Sequence, residues 1–159
     1  MITIMPCLEI MKSVTDKNID SPASKKRVES FEVSNQLIAD ANVNILIPTQ
    51  LYKCVGVRLN DDQKVAFESL YRIDSSTETA VPIYGIEQAI NLLADAESKA
   101  RFVIILTENI STYPCPNHGR IKVLKPEDFI QKVNVIRALK KRGVVSALDE
   151  ALIVYLFKS

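Results

Sequence analysis

Apolar residues in this chain form short continuous runs that are separated by longer segments with helical spacing. The clearest run is FVIIL at residues 102–106, and similar runs occur at residues 2–8, 45–47 and 121–124. A short run without polar interruption is typical of a strand that is buried on both faces of a parallel sheet. The pattern therefore predicts a strand at each of these positions, although Pro6 interrupts the first run.

Between the predicted strands, apolar residues recur with the spacing of one helix face. The predicted helices cover residues 23–41, 48–59, 60–71, 85–99, 126–142 and a last segment from residue 146 or 149 to about 157. Residues 13–24, 42–44 and 74–82 are polar or turn-forming and are predicted to be connections. Pro126 suits the first position of a helix, and Gly143 suits a C-terminal stop.

Strands and helices alternate along the chain, and this order requires crossover connections between parallel strands. The predicted fold class is α/β, with a three-layer α/β/α arrangement around a mainly parallel central sheet. All 159 residues are predicted to form one domain, in which residues 131–159 are a C-terminal helical extension. Local patterns do not give the strand order, so flavodoxin-like and Rossmann-like topologies stay open. Ligands of such sheets bind beyond the carboxyl ends of the strands.

Composition narrows the classes of function. Lys and Arg total 20 against 19 Asp and Glu, a net charge of +1, so any binding of nucleic acid must come from a local patch. No apolar run is long enough to span a bilayer, so we expect no membrane association. The 3 cysteines are odd in number and far apart, which predicts a reducing, cytoplasmic compartment. With only 4 glycines, no glycine-rich phosphate loop can be built.

Several short motifs resemble those of the PIN nuclease family. EQAINLLA at residues 87–94 resembles the family's helix that begins with an acid and reaches an alanine seven residues later. FVIILTEN at residues 102–109 is similar to its strand that ends in Thr-x-Asp, and IKVLKPEDFI at 121–130 to its closing strand and following helix. The segments at residues 2–8 and 45–48 resemble its first two strands, so the resemblance covers roughly residues 2–131.

The resemblance implies a site in which three or four carboxylates hold Mg²⁺ or Mn²⁺. These hard cations prefer oxygen ligands, and the metal activates a water and stabilises charge on the phosphate that is cut. At the family's first acidic position this chain has Met5 and Pro6, and at the second it has Lys53 and Cys54. None of these side chains suits a hard metal, so the resemblance implies a degenerate site.

The remaining acidic positions give the candidate catalytic and metal-binding residues. Glu87 matches the third acid, and Asn109 stands at the last position, where it offers only a neutral oxygen. Glu108 is its neighbour, and Glu9 lies a few residues beyond the first position. A rearranged site would use Glu87 and Asn109 as metal ligands, with Glu9 and Glu108 as further catalytic residues. The alternative is that these acids lie unconnected on the surface.

Two groups of basic residues are candidates for contacts to RNA phosphates. They are Lys25, Lys26 and Arg27 at the start of one predicted helix, and Lys132, Arg137, Lys140, Lys141 and Arg142 along another. The alternative for the second group is that cations favour a helix C-terminus because of the helix dipole. For the first group, the alternative is a solvated helix face.

Two further features leave alternatives open. Cys115 and His118 have the spacing of half a metal site, but a structural zinc needs about four ligands and the sequence has no second Cys/His pair. The alternative is a proline-rich surface loop. The segment ALDEALIVYLF at residues 147–157 is apolar on all sides. Such a helix packs on its own domain, forms a homodimer interface or binds a partner protein.

The sequence thus supports three hypotheses of function. The first is a degenerate PIN-like domain that binds RNA or a protein partner. The second is an active Mg²⁺- or Mn²⁺-dependent endoribonuclease with a rearranged carboxylate site. The third is a non-enzymatic α/β assembly module that forms a homodimer through the apolar C-terminal helix.

Overall fold

The computed structural model describes residues 1–15, 21–48, 72–74, 86–110 and 119–158. The strands within these ranges are β1 (Ile2–Pro6), β2 (Val43–Pro48), β3 (Arg72–Asp74), β4 (Phe102–Leu106) and β5 (Ile121–Leu124). The helices are α1 (Leu8–Thr15), α2 (Pro22–Asp40), α3 (Ile86–Ala94), α4 (Pro126–Lys141) and α5 (Leu148–Phe157). A short 3₁₀ turn, Ala96–Ser98, follows α3.

The described strands form one parallel sheet in the order β3-β2-β1-β4-β5. Ile2 at the start of β1 pairs with Val43 of β2 on one side and with Phe102 of β4 on the other. The chain therefore moves outward from β1 through β2 to β3, and then returns to the opposite side of β1. The direction of winding changes between β1 and β4, which is the position where open α/β sheets bind their ligands.

Strand alternation sorts the core into two apolar clusters, one on each face of the sheet. On one face, Ile4 and Ile104 join buried residues of α1, α2, α4 and α5, among them Phe129 and Leu152. On the other face, Val103 and neighbouring strand residues pack with α3. Helices thus cover both faces, and the predicted three-layer α/β/α class with a parallel sheet is confirmed.

The two long helices on the first face run parallel to each other. Ser21 caps α2 by accepting a hydrogen bond from the Ser24 N–H at 3.1 Å, and Pro22 occupies the first helical position. Near the other ends of the helices, Arg137 of α4 donates to the Gln36 side chain of α2 at 2.9 Å. Pro22, Pro126 and Glu108 line one cleft, so the first turns of both helices lie at the carboxyl edge of the sheet.

The helix α1 corrects the predicted loop over residues 13–24, since the chain is helical from Leu8 to Thr15 and again from Pro22. The N–H groups of Ile10 and Met11 both bond the Cys7 carbonyl, so the helix starts directly after β1. Ile10 and Met11 are fully buried and Val14 packs against the same apolar cluster, so α1 extends into the predicted loop. The predicted first strand accordingly ends at Pro6 rather than residue 8.

Two other predicted boundaries were wrong, and one strand was not predicted. β2 begins at Val43, because pairing with β1 extends it into the predicted break, where the Thr3 hydroxyl donates to the Asn44 side chain at 2.7 Å. β3 was not predicted. α3 ends at Ala94 rather than residue 99. Directly after it, the Asp95 side chain caps the 3₁₀ turn by accepting a hydrogen bond from the Glu97 N–H.

Most of the other predicted elements agree with the structure or lie outside its described part. β4, β5 and the end of α4 agree, and Gly143 has the positive φ of 77° that suits a C-terminal stop. The helix predicted to open at Pro48 was wrong at that residue, because Pro48 is the last residue of β2 and pairs with Asp74 of β3. The rest of that helix, residues 49–59, and the helix predicted at residues 60–71 fall outside the described residues. In the ranges that are described, no helix is both long enough and apolar enough to cross a bilayer.

The apolar helix α5 packs largely on its own domain. Leu148, Ala151, Leu152 and Leu156 are buried, and the rings of Phe157 and Phe102 lie 4.8 Å apart. Val154 and Tyr155 remain exposed.

Candidate functional site

The candidate site lies where the carboxyl ends of β1 and β4 meet, at the change in winding direction. The Cys7 N–H donates to the Leu106 carbonyl at 2.9 Å, so the two strand ends are held side by side. After Cys7 the chain enters α1, which carries Glu9 in its first turn. After Leu106 it continues into Thr107 and Glu108. Strand pairing thus brings together acids that are far apart in sequence.

Glu9 closes the turn that follows β4. Its Oε1 accepts one hydrogen bond from the Thr107 hydroxyl at 2.6 Å and another from the Glu108 N–H at 3.0 Å. Thr107 is only 1% exposed, so its hydroxyl depends on a protein acceptor. The Thr107 oxygen in turn accepts from the Asn109 N–H at 3.1 Å. The carboxylate of Glu9 therefore has a structural role in this arrangement.

Glu108 forms an ion pair with Arg27 of α2. The Nη2 of Arg27 lies 2.8 Å from Oε2 of Glu108, and the two side chains are 24% and 30% exposed. The second guanidinium nitrogen, Nη1, lies 3.3 Å from the Ser13 hydroxyl, which itself donates to the Glu9 carbonyl at 3.0 Å. We call Glu9, Ser13, Arg27, Thr107 and Glu108 the edge network.

Arg27 is the cation of the edge network. Its hydrogen bond to Glu108 raises the pKa of the guanidinium, against the opposing effect of burial, and the nearby charges of Glu108 and Glu9 act in the same direction as the bond. The Nε of Arg27 is buried and has no hydrogen-bond partner among the described residues. One positive group thus lies against two carboxylates at the edge.

A cleft of about 400 Å³ opens beside Glu108, between the first turns of α2 and α4. Its lining comprises Pro22, Ala23, Lys26, Glu108, Lys125, Pro126 and Glu127. Two lysines face two glutamates, so the described lining has no excess of either charge. Lys26 is moreover paired with Glu29 at 3.3 Å.

The predicted metal-binding and catalytic residues divide into two sets. Glu9 and Glu108 are brought together, and Asn109 follows them at the same edge as an exposed residue. Glu87 lies in the first turn of α3, but its side chain is outside the described part of the structure. Within that described part, no three histidine, cysteine or acidic side chains form a group that would hold a metal ion.

The predicted nucleic-acid-binding residues do not form one surface. Lys25, Lys26 and Arg27 lie at the carboxyl edge, whereas Lys140, Lys141 and Arg142 lie at the other end of α4, roughly 20 Å away along the helix axis. Arg27 bonds Glu108 and Arg137 bonds Gln36, so both guanidinium groups serve internal contacts. Lys132 is exposed on α4, away from both groups.

Sequence reasoning did not identify Thr107 and Ser13 as part of the site. Their neighbours Glu108 and Glu9 are the stronger chemical signals, and neither hydroxyl lies in a recognisable motif. The pairing of Arg27 with Glu108 spans 81 residues and leaves no local pattern. Cys115, His118, Lys53 and Cys54 lie outside the described residues.

No protein-family model matches this chain, and neither a curated protein nor a solved structure matches it.

Proposed function

We propose that this chain is a PIN-like domain in which the acidic edge has become a structural network, and that it acts by binding RNA or a protein partner without catalysis. The observation that carries the proposal is the ion pair of Arg27 with Glu108 at 2.8 Å. It lies at the sheet edge where the sequence resemblance implies a divalent metal ion. The guanidinium takes the place of the cation that the carboxylates would otherwise bind.

The hydrogen bonds of Glu9 support the same conclusion. Mg²⁺ and Mn²⁺ prefer oxygen ligands, and a single carboxylate binds them weakly. One oxygen of Glu9 already accepts from Thr107 and from the backbone of Glu108. A metal ion that used Glu9 and Glu108 would have to compete with these donors and with Arg27.

The exposed end of α4 supports binding of RNA. Lys140, Lys141 and Arg142 are exposed, and the ion pairs found among the described residues do not include them. Three cations within one helical turn offer phosphate contacts whose strength falls with added salt.

A titration followed by nuclear magnetic resonance tests the proposal. We expect no saturable Mn²⁺ binding at sub-millimolar concentration in the wild type, and gained binding in Arg27→Gln, because this change frees the Glu108 carboxylate. Glu29→Gln is the matched control, since it breaks the exposed Lys26–Glu29 pair and leaves the edge network unchanged. We expect a short single-stranded RNA to shift amide signals at the end of α4. Sub-millimolar Mn²⁺ binding by the wild type that is lost in Glu87→Gln would contradict the proposal.

One observation favours a second candidate, the metal-dependent endoribonuclease. Glu9 and Glu108 do lie at one edge, at the position where such sheets bind ligands. Glu87 or Asn109 would then complete the ligand set. The same titration separates the two candidates, because the nuclease requires metal binding by the wild-type chain and Mn²⁺-dependent cleavage of the added RNA.

A further inference from the structure

The outer surface of α4 and α5 contains an open groove of about 550 Å³. Its lining comprises Asp128, Gln131, Lys132, Val135, Ile136 and Tyr155. Val135 and Tyr155 leave 52% and 40% of their surface exposed, although both are large apolar or aromatic residues. This groove lies on the outer side of α4, whereas the inner side of the helix is buried in the core. It is therefore separate from the edge network.

Charged and apolar residues follow each other along the outer side of α4. Asp128, Val135, Leu139 and Arg142 are spaced by seven, four and three residues, which places them on one stripe of the helix. The acid lies in the first turn, the base follows the last turn, and Val135 lies midway between them. We call these four residues the α4 stripe. Asp128 and Arg142 are exposed, and the ion pairs found in the described part of the chain involve neither.

A stripe with opposite charges at its two ends is complementary to itself when it is reversed. If a second α4 packs antiparallel against the first, with Val135 on the twofold axis, Asp128 lies opposite Arg142 of the second copy. The symmetry repeats this contact, so two ion pairs flank one apolar centre. The helix dipoles also oppose each other in this arrangement, which avoids the repulsion of like helix ends.

We infer that a second copy of this chain occupies the groove, through antiparallel packing of the two α4 helices in a twofold-symmetric dimer. The charges along α4 favour a second copy over RNA in this groove, because the Asp128 carboxylate would repel the RNA phosphates. The apolar contact involves few side chains, so the dimer is weak and forms at high concentration. The inference goes beyond the proposed function and does not rest on it. The α4 stripe shares no residue with the edge network, and it shares Arg142 with the basic end of α4 to which RNA binding is assigned.

The dimer assigns a different surface from the one that the sequence predicts. The apolar pattern of α5 left a homodimer interface open as one of three roles, but most of that helix is buried in its own core. The residue of α5 that lines the groove is Tyr155. In the inferred dimer, α4 supplies the charges and the apolar centre, and α5 supplies one wall.

Charge reversal tests this pairing. Sedimentation equilibrium of the full chain, up to ~1 mM, measures the dimer dissociation constant. In Asp128→Arg two arginines would face each other at each end, and in Arg142→Asp two aspartates would. We expect each single variant to dimerise about tenfold more weakly than the wild type. An equimolar mixture of the two variants restores both ion pairs and is expected to form a mixed dimer with wild-type affinity.

A matched control separates the α4 stripe from charge in general. Lys141→Asp makes the same change one residue away, but position 141 points to another side of the helix. We expect this variant to dimerise like the wild type. A wild-type chain that stays monomeric at ~1 mM would overturn the inference. It would also fail if the single variants dimerised normally, or if their mixture stayed monomeric while each variant remained folded by circular dichroism.

Discussion

Charged residues are used differently at the carboxyl edge of the sheet and on the outer face of α4. In the edge network, Arg27 and Glu108 are mostly buried and bond each other, and Glu9 bonds the groups that end β4. On the α4 stripe, Asp128 and Arg142 are exposed and lie at opposite ends of one helix face. The edge network joins parts of one chain, whereas the α4 stripe offers its charges to another molecule.

The difference shows why acidic residues at a strand end are not by themselves evidence of a metal site. A carboxylate whose oxygens already accept hydrogen bonds from protein donors binds an ion only in competition with those donors. At the edge these donors come from Thr107, Arg27 and the backbone of Glu108. An exposed charge without such a partner, as on the α4 stripe, is the better guide to an intermolecular contact.

The largest expected effect comes from the core on which both regions rest. Phe129 on the inner side of α4 has 0% exposure and belongs to the larger apolar cluster. Phe129→Ala should lower the free energy of unfolding by about 3–5 kcal/mol, because it removes buried surface and leaves a cavity. Urea unfolding measures the change. The matched control is Val135→Ala on the outer face, expected within about 0.5 kcal/mol of the wild type; similar losses in both would contradict the described packing of α4.

An intermediate effect is expected when the acceptor of the edge network is removed. Glu9→Ala leaves the buried Thr107 hydroxyl without its 2.6 Å partner and should cost about 1–3 kcal/mol of stability. Thr107→Val is the matched variant, because it removes the donor and leaves Glu9 able to bond the Glu108 N–H or water. We expect it to cost less than Glu9→Ala in the same urea assay. Equal stability of Glu9→Ala and the wild type would show that the carboxylate has no structural role.

The smallest expected effect is the coupling between Arg27 and Glu108. Their side chains are 24% and 30% exposed, so solvent weakens the pair and we expect a coupling energy of at most about 1 kcal/mol. A double-mutant cycle with Arg27→Ala and Glu108→Ala measures it. The same cycle on the more exposed Lys26–Glu29 pair should give a smaller value. If the exposed pair coupled more strongly, the distinction between the edge and the surface would fail.

Much of the fold follows from local patterns in the sequence. The run FVIIL has no polar residue, so it predicts a strand that is buried on both faces of the sheet. The structure has β4 at these residues. Pro126 fixes its own φ near the helical value and Gly143 readily adopts a positive φ, so α4 begins and ends where they predict. The loop predicted over residues 13–24 was wrong at both ends. Residues 13–15 belong to α1, whose Ile10, Met11 and Val14 pack in the core, and residues 22–24 begin α2.

Residue type and short-range spacing are enough to predict the α/β class, the parallel strands and the candidate acids. The hydrogen-bond partners of those acids depend on the folded arrangement. The order β3-β2-β1-β4-β5 places the ends of β1 and β4 side by side, and α2 then brings Arg27 to Glu108 across 81 residues. The contact between Arg27 and Glu108 forms because the fold brings two distant segments together. No local sequence pattern contains that information.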